Sequence, residues 1–198
     1  FVYIQKGLYY MKSKRIQRLV LSAVMLGMAA VLSMIKVFEL PLGGAVTPLS
    51  MLPICILSIR YGVKWGLFSA FVFALIQLGM GLGELMTFGM TVKIWTGCLV
   101  FDFLLPFTLL GLSGIFRRSG TAGIIGGITL ALILRFLCHF ISGSVFFGTW
   151  CPDGWNIYLY SFCYNGSYML PELVFTLIGA VILFKAPQTG KLLTGGQS

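Results

Sequence analysis

Apolar residues run along this chain in six stretches, at residues 19–35, 49–59, 65–80, 94–116, 124–147 and 158–184, with polar and turn-forming residues gathered between them. The pattern predicts six helices in a lipid environment. The second stretch, about 11 residues, falls short of the ~20 that a perpendicular crossing requires. It is expected to be short, or to continue irregularly where protein or water covers it, and Pro53 inside it agrees.

Composition turns this pattern into a class. The chain has 198 residues, of which 58% are hydrophobic and 10% charged, and a mean hydropathy of +0.97. That leaves too little polar surface to coat a water-soluble globule of this size, so the expectation is an all-α integral membrane protein. A formal net charge of +9 would suit nucleic acid if the basic residues formed one patch, but they sit in short groups between apolar stretches. Membrane orientation explains them better. Lys12, Lys14, Arg15 and Arg18 precede the first stretch, Arg60 and Lys64 follow the second, Arg117 and Arg118 follow the fourth, and Lys185 and Lys191 follow the sixth. The positive-inside rule then puts both termini in the cytoplasm.

Residues 1–10 precede a Met and the basic run MKSKRIQR and are expected to be an N-terminal extension; residues 11–198 are expected to form a single membrane domain. A cleaved signal peptide is not expected, because the first stretch is long and no small-residue cleavage site ends it. On the outer side, residues 36–48 carry ELPLGGAVTP and residues 148–157 read GTWCPDGWNI. Their turn formers suit loops that close over an outward-facing cavity. Trp150 and Trp155 are expected to act as interfacial anchors more than as ligand contacts.

A polar seam crosses the apolar stretches. Asp102 lies in the fourth, Arg135 and His139 in the fifth, Tyr160, Asn165 and Glu172 in the sixth. Ionisable groups are costly in hydrocarbon and mark binding sites or paths by default. On a helix, His139, Gly143 and Phe147 share one face, with Arg135 one turn earlier. A donor, a gap and an aromatic plate lie along that face. The Asp102 carboxylate needs a partner, which Arg135, His139 or a cationic, amino-bearing ligand can supply. Glu172 is either a second polar contact or a partner for Arg135.

Other motifs lead nowhere. GMGLGE lacks the lysine and hydroxyl residue of a phosphate loop, so the chain is not expected to hydrolyse ATP. The five cysteines have no metal-ligand spacing and read as small buried hydrophobes; only Cys151 and Cys163 fall near one predicted surface and can pair. Asn165-Gly166-Ser167 matches a glycosylation acceptor inside an apolar helix, where modification is not expected. Ser142 and Ser144 lie near His139 without the spacing of a nucleophile and base. No metal or other cofactor is expected. Three readings of the seam remain: capture of a small ligand, an intramembrane reaction using His139 with Asp102 or Ser142, or a scaffold whose polar groups hold helices together. On the first helix, Ala23 and Gly27 make a small-residue stripe fit for a partner subunit or for packing within the bundle.

The segments PLGGAVTPLSMLPICILSIRYGVKWGL (41–67), RFLCHFISGSVFFGTWCP (135–152) and YSFCYNGSYMLP (160–171) resemble the ThiT family, the thiamine-specific substrate-binding (S) components of energy-coupling factor (ECF) transporters. The resemblance implies a six-helix S-component bundle in a bacterial cell membrane that captures thiamine and is not an enzyme. It implies delivery by a transmembrane coupling (T) subunit and two ATP-binding-cassette ATPases. It implies substrate contacts at Asp102, Phe103, His139, Gly143, Phe147, Tyr160 and Asn165, and docking of the coupling subunit along Ala23 and Gly27. Some members carry Glu where this chain has Asp102, Tyr where it has Phe103 and Trp where it has Phe147; the shorter carboxylate and smaller plate of this chain are expected to weaken thiamine binding or retune it toward a related pyrimidine. An S component for another vitamin or pyrimidine precursor is the alternative within the same class.

Overall fold

The structure, a computed structural model, describes residues 2–186, with side chains from residue 14. Lys191 and the side chains of the expected 1–10 extension and of Lys12 lie outside the described residues. Helix α1 (Val2–Met34) leads into a short antiparallel hairpin, β1 (Phe38–Glu39) and β2 (Ala45–Val46), in which Phe38 pairs with Val46 and Glu39 with Ala45. Then come α2 (Leu52–Tyr61), α3 (Val63–Thr87), α4 (Val92–Cys98), a π-helical segment at Leu99–Leu104, α5 (Leu105–Leu109) and a 3-10 segment at Leu110–Gly114. Helices α6 (Gly120–Val145) and α7 (Ile157–Lys185) close the bundle.

Among the described residues, five segments are long and apolar enough to cross a membrane: Lys14–Met34, Val63–Thr87, Val92–Gly114, Gly120–Val145 and Ile157–Lys185. With α2 they account for the six expected helices. The protein is a multi-pass membrane helical bundle. Its outward surface carries Leu19, Val24 and Val31 of α1, Phe68 and Phe71 of α3, and Leu170 and Ile182 of α7, all exposed in the isolated chain and suited to contact with lipid.

Helix α2 can be short because it does not face lipid. Residues 52–59 are all buried, and α1, α3, α7 and the 3-10 segment pack round it. Pro53 sits in its first turn, where a missing N–H breaks no helical bond. At its other end Arg117 Nη1 donates to the carbonyls of Ile59 and Arg60, both at 3.4 Å. The last carbonyls of a helix have no partner within it and need one of this kind. The Ser58 hydroxyl also donates to the Gly111 carbonyl at 2.5 Å and accepts from the Gly114 N–H at 3.0 Å. Glycine permits the closest approaches. A Cβ on Gly127 would lie 2.1 Å from the Ser113 carbonyl oxygen, and one on Gly111 would lie 2.4 Å from the Leu67 nitrogen.

That close packing fills the end of the bundle where α2 meets α3. The opposite end, beneath the hairpin, stays open as a cavity. Helix α3 contributes more to it than its apolar stretch predicts, continuing past Met80 to Thr87.

Candidate functional site

Asp102 is presented by an irregular stretch of helix. Pro106 has no N–H to give the carbonyl four residues back, which is that of Asp102, and its ring crowds the same oxygen. The chain responds with the π-helical segment Leu99–Leu104, where the Leu105 N–H reaches the Val100 carbonyl, five residues back. Such bulges recur at functional sites because they turn a side chain off the regular helical register. Here the Asp102 carboxylate meets α6: Oδ1 pairs with His139 Nδ1 at 3.1 Å, and Oδ2 accepts from the Ser142 hydroxyl at 2.5 Å. The nucleophile reading of Ser142 finds no support, since its proton goes to a carboxylate and not to His139. Nε2 of His139 is buried with no hydrogen-bond partner.

Arg135 does not serve Asp102. Its Nη1 donates to Glu172 Oε2 at 2.9 Å and lies 2.6 Å from the Met51 sulfur, while the guanidinium rests 4.5 Å from the centre of the Phe107 ring. Both charges are withdrawn from solvent, with Arg135 6% and Glu172 2% exposed. The remaining oxygen of Glu172 accepts from the Thr47 hydroxyl at 2.6 Å and the Thr47 N–H at 3.1 Å. The two acids in the seam thus take different partners.

Helix α7 brings Asn165 against α6. Its Nδ2 donates towards the carbonyls of Ser161 (2.9 Å) and His139 (3.3 Å) and the Ser161 hydroxyl (3.2 Å), and its Oδ1 accepts from Tyr168 Oη at 2.7 Å. Asn165 is 5% exposed. At Gly143 the two helices approach closely, since a Cβ there would lie 2.4 Å from Ser161 Oγ. The glycine therefore serves helix packing as well as facing the cavity. Phe147 departs from its expected helical register, because α6 ends at Val145. Its ring packs edge-on to Phe88 (6.1 Å between centres) and tilted against Trp150 (5.4 Å).

These residues surround one cavity of about 440 Å³, within the size range of small-molecule sites. Asp102, Phe103, His139, Gly143, Phe147, Tyr160 and Asn165 all line it. Over it lies the hairpin, with Leu42, Gly43, Gly44, Ala45 and Thr47 on the wall and the Gly44 N–H donating to Tyr164 Oη at 3.2 Å. Gly44 has to be glycine: a Cβ would come within 2.8 Å of the Tyr168 ring. Of the five acidic residues in a chain of net charge +9, three line this cavity, namely Glu84, Asp102 and Glu172. Arg135 and Lys36 are the basic residues there. Carboxylates beside aromatic faces suit a cationic or amino-bearing ring.

The model of the thiamine transporter protein family (Thia_YuaJ) matches residues 19–191. The chain belongs to this family. It is 31% identical over 187 residues to the thiamine transporter ThiT of Bacillus subtilis, covering 87% of this chain and 93% of that protein. It is 30% identical over 152 residues to the thiamine transporter ThiT of Lacticaseibacillus paracasei, covering 70% of this chain and 73% of the other. A solved structure of ThiT from Listeria monocytogenes superposes with a TM-score of 0.67 at 23% identity, over 89% of this chain and 98% of that one, and so shares the fold. Membership places the chain among bacterial membrane transport proteins and not among enzymes.

Phe88 and Thr47 are among the wall residues of this family member that the sequence does not single out. Phe88 packs on Phe147 and Trp150, and the signal for it was the continued helical spacing of Leu78, Leu82 and Leu85 beyond Met80. Thr47, read only as part of a loop, has no local signal, because its partner Glu172 lies 125 residues away. Of the expected anchors, Trp155 is exposed and touches Tyr160, whereas Trp150 is tucked against Phe147 and Phe88. All five cysteines of the transporter are free, including Cys151 and Cys163. Ala23 and Gly27 are exposed on α1, and a Cβ added at Gly27 would meet nothing within 4 Å. Packing within the bundle therefore does not explain that stripe.

Proposed function

We propose that this chain is the substrate-binding subunit of an ECF transporter, capturing thiamine from outside the cell and handing it to an ATP-driven coupling module. The observation that carries the reading is the gathering of Glu84, Asp102 and Glu172, from a strongly basic chain, round a cavity walled by aromatic rings. Thiamine joins an aminopyrimidine to a thiazolium cation. In the proposed complex Asp102 accepts from the amino group, using lone pairs that His139 and Ser142 leave over. Phe147, Phe103 and Tyr160 face the rings, His139 Nε2 offers the buried nitrogen that lacks a partner, and Asn165 holds α6 to α7 beneath them.

The remaining steps need other proteins. A chain without a phosphate loop must borrow its motor, and the exposed Ala23 and Gly27 face of α1 offers the coupling subunit a place to dock, with the two ATPases beyond it. Both termini then lie in the cytoplasm. In support, Arg60, Lys64, Arg117 and Arg118 cluster at the connections away from the hairpin, which would face outward.

Titration of thiamine into the purified, detergent-solubilised chain tests the binding step, read by calorimetry and by quenching of tryptophan fluorescence. Saturable binding at micromolar thiamine or below is expected; folded protein with neither heat nor quenching would sink the assignment. Competition with other vitamins and pyrimidine precursors sets the specificity. ATP-dependent uptake into vesicles holding the coupling module tests the rest.

A further inference from the structure

We propose that Glu172 and Thr47 form a latch that holds the hairpin over the cavity and thereby sets how long the ligand stays. The inference rests on the thiamine-capture reading for its ligand, though not for its structural part. The hairpin is anchored on its inner side by Val46, buried in the core with Leu40 packed against it, while its outer strand and tip have few polar ties. Its strands are two residues long, Phe38 and Glu39 are exposed, and its tip is tied to α7 by one neutral bond, from the Gly44 N–H to Tyr164 Oη at 3.2 Å.

At the stem the attachment is of another kind. Thr47 follows β2 directly and gives both its hydroxyl and its N–H to Glu172 Oε1, at 2.6 and 3.1 Å. The acceptor is a carboxylate 2% exposed and paired with Arg135, and charge-assisted bonds are roughly twice as strong as neutral ones. Arg135, at 2.9 Å on the opposite oxygen, fixes the carboxylate so that Oε1 faces the stem. An ion pair that only braced α6 against α7 would leave Oε1 to a neighbour on those helices. Instead, that oxygen takes two bonds from the chain that roofs the site. Glu172, Thr47 and Arg135 all line the cavity, so loosening the latch opens the compartment the ligand occupies. Glu172 and Thr47 are positioning residues here, acting through the hairpin.

Two measurements on the full chain in detergent test this. Hydrogen exchange of hairpin peptides is followed without ligand, and thiamine dissociation is followed by stopped-flow tryptophan fluorescence. Thr47→Val removes the hydroxyl while leaving the Arg135–Glu172 pair intact, so it is expected to fold; Glu172→Gln is the harsher variant. Loss of the charge-assisted bond, together with the 2.9 Å contact of the same hydroxyl with Ser50 Oγ, should speed both hairpin exchange and thiamine release about tenfold or more, with exchange in α2 unchanged. Thr47→Ser, which keeps the hydroxyl, should restore both rates. Unchanged hairpin exchange in Thr47→Val overturns the latch, and so does faster exchange with an unchanged release rate. If the wild-type chain binds no thiamine while Thr47→Val still accelerates hairpin exchange, the ligand assignment fails and the latch stands.

Discussion

Ser142 and His139 hold the two oxygens of Asp102 from one face of α6, at 2.5 and 3.1 Å. The carboxylate is therefore oriented before any ligand arrives, and its position does not depend on the flexible reach of a long side chain. This preorganisation lowers the cost of binding.

Asp102→Asn keeps the shape and removes the charge. Loss of one charge-assisted hydrogen bond, about 1.5 to 3 kcal/mol, should weaken thiamine roughly ten- to over a hundredfold in calorimetric titration. A variant that binds as tightly as the wild type would take the carboxylate out of the ligand's reach.

Phe147 is expected to offer a ring face to the thiazolium. Phe147→Ala should cost about 1 to 2 kcal/mol of binding, and Phe147→Trp should hold or improve the wild-type affinity, because indole is the better cation–π partner. Fluorescence titration of the two variants checks this, and equal affinities for Ala and Trp would remove the stacking role.

Arg135→Met leaves Glu172 as a buried charge with no counter-ion. Breaking such a pair from one side costs about 3 to 5 kcal/mol, whereas removing both charges costs far less. The single variant should melt well below the wild type in a detergent thermal shift, and Arg135→Met with Glu172→Gln should recover much of the loss. A single variant with wild-type melting would show that the pair contributes nothing to the fold.

Gly127→Ala probes the closed end of the bundle. Its added methyl would press on the Ser113 carbonyl from 2.1 Å, and backbone cannot yield as a flexible side chain does. Overpacking of this kind costs about 1 to 3 kcal/mol. The melting temperature should fall while the affinity of the folded fraction for thiamine stays unchanged, since Gly127 is remote from the cavity wall.

Much of this architecture can be read from the chain itself. The brief apolar run at 49–59 and Pro53 announce a helix that is short or irregular and covered by protein or water, and α2 proves short, with residues 52–59 buried. Asp102, His139 and Asn165 stand out because polar groups in lipid-compatible sequence need a reason. Pairing across helices is a different matter. Helical spacing says which residues share a face, but the choice of His139 for Asp102 and of Glu172 for Arg135 depends on how α4 to α7 are turned against one another. The π segment was hidden for a related reason: Pro106 was visible, while its effect on the register of Asp102 emerges only once the backbone has to find other partners. Phe147 was placed one helical step too far, because an apolar run does not reveal that the helix stops at Val145.

The hairpin and α2 are joined by only a few residues, so the cover of the cavity at Leu42 to Thr47 and the inner wall at Ser50 and Met51 are neighbouring parts of a single peptide. An insertion there could not enlarge the mouth without also shifting the depth, for the same ten residues measure both. Accommodating a bulkier guest would demand changes on α3 or α7, where wall residues can be exchanged one at a time.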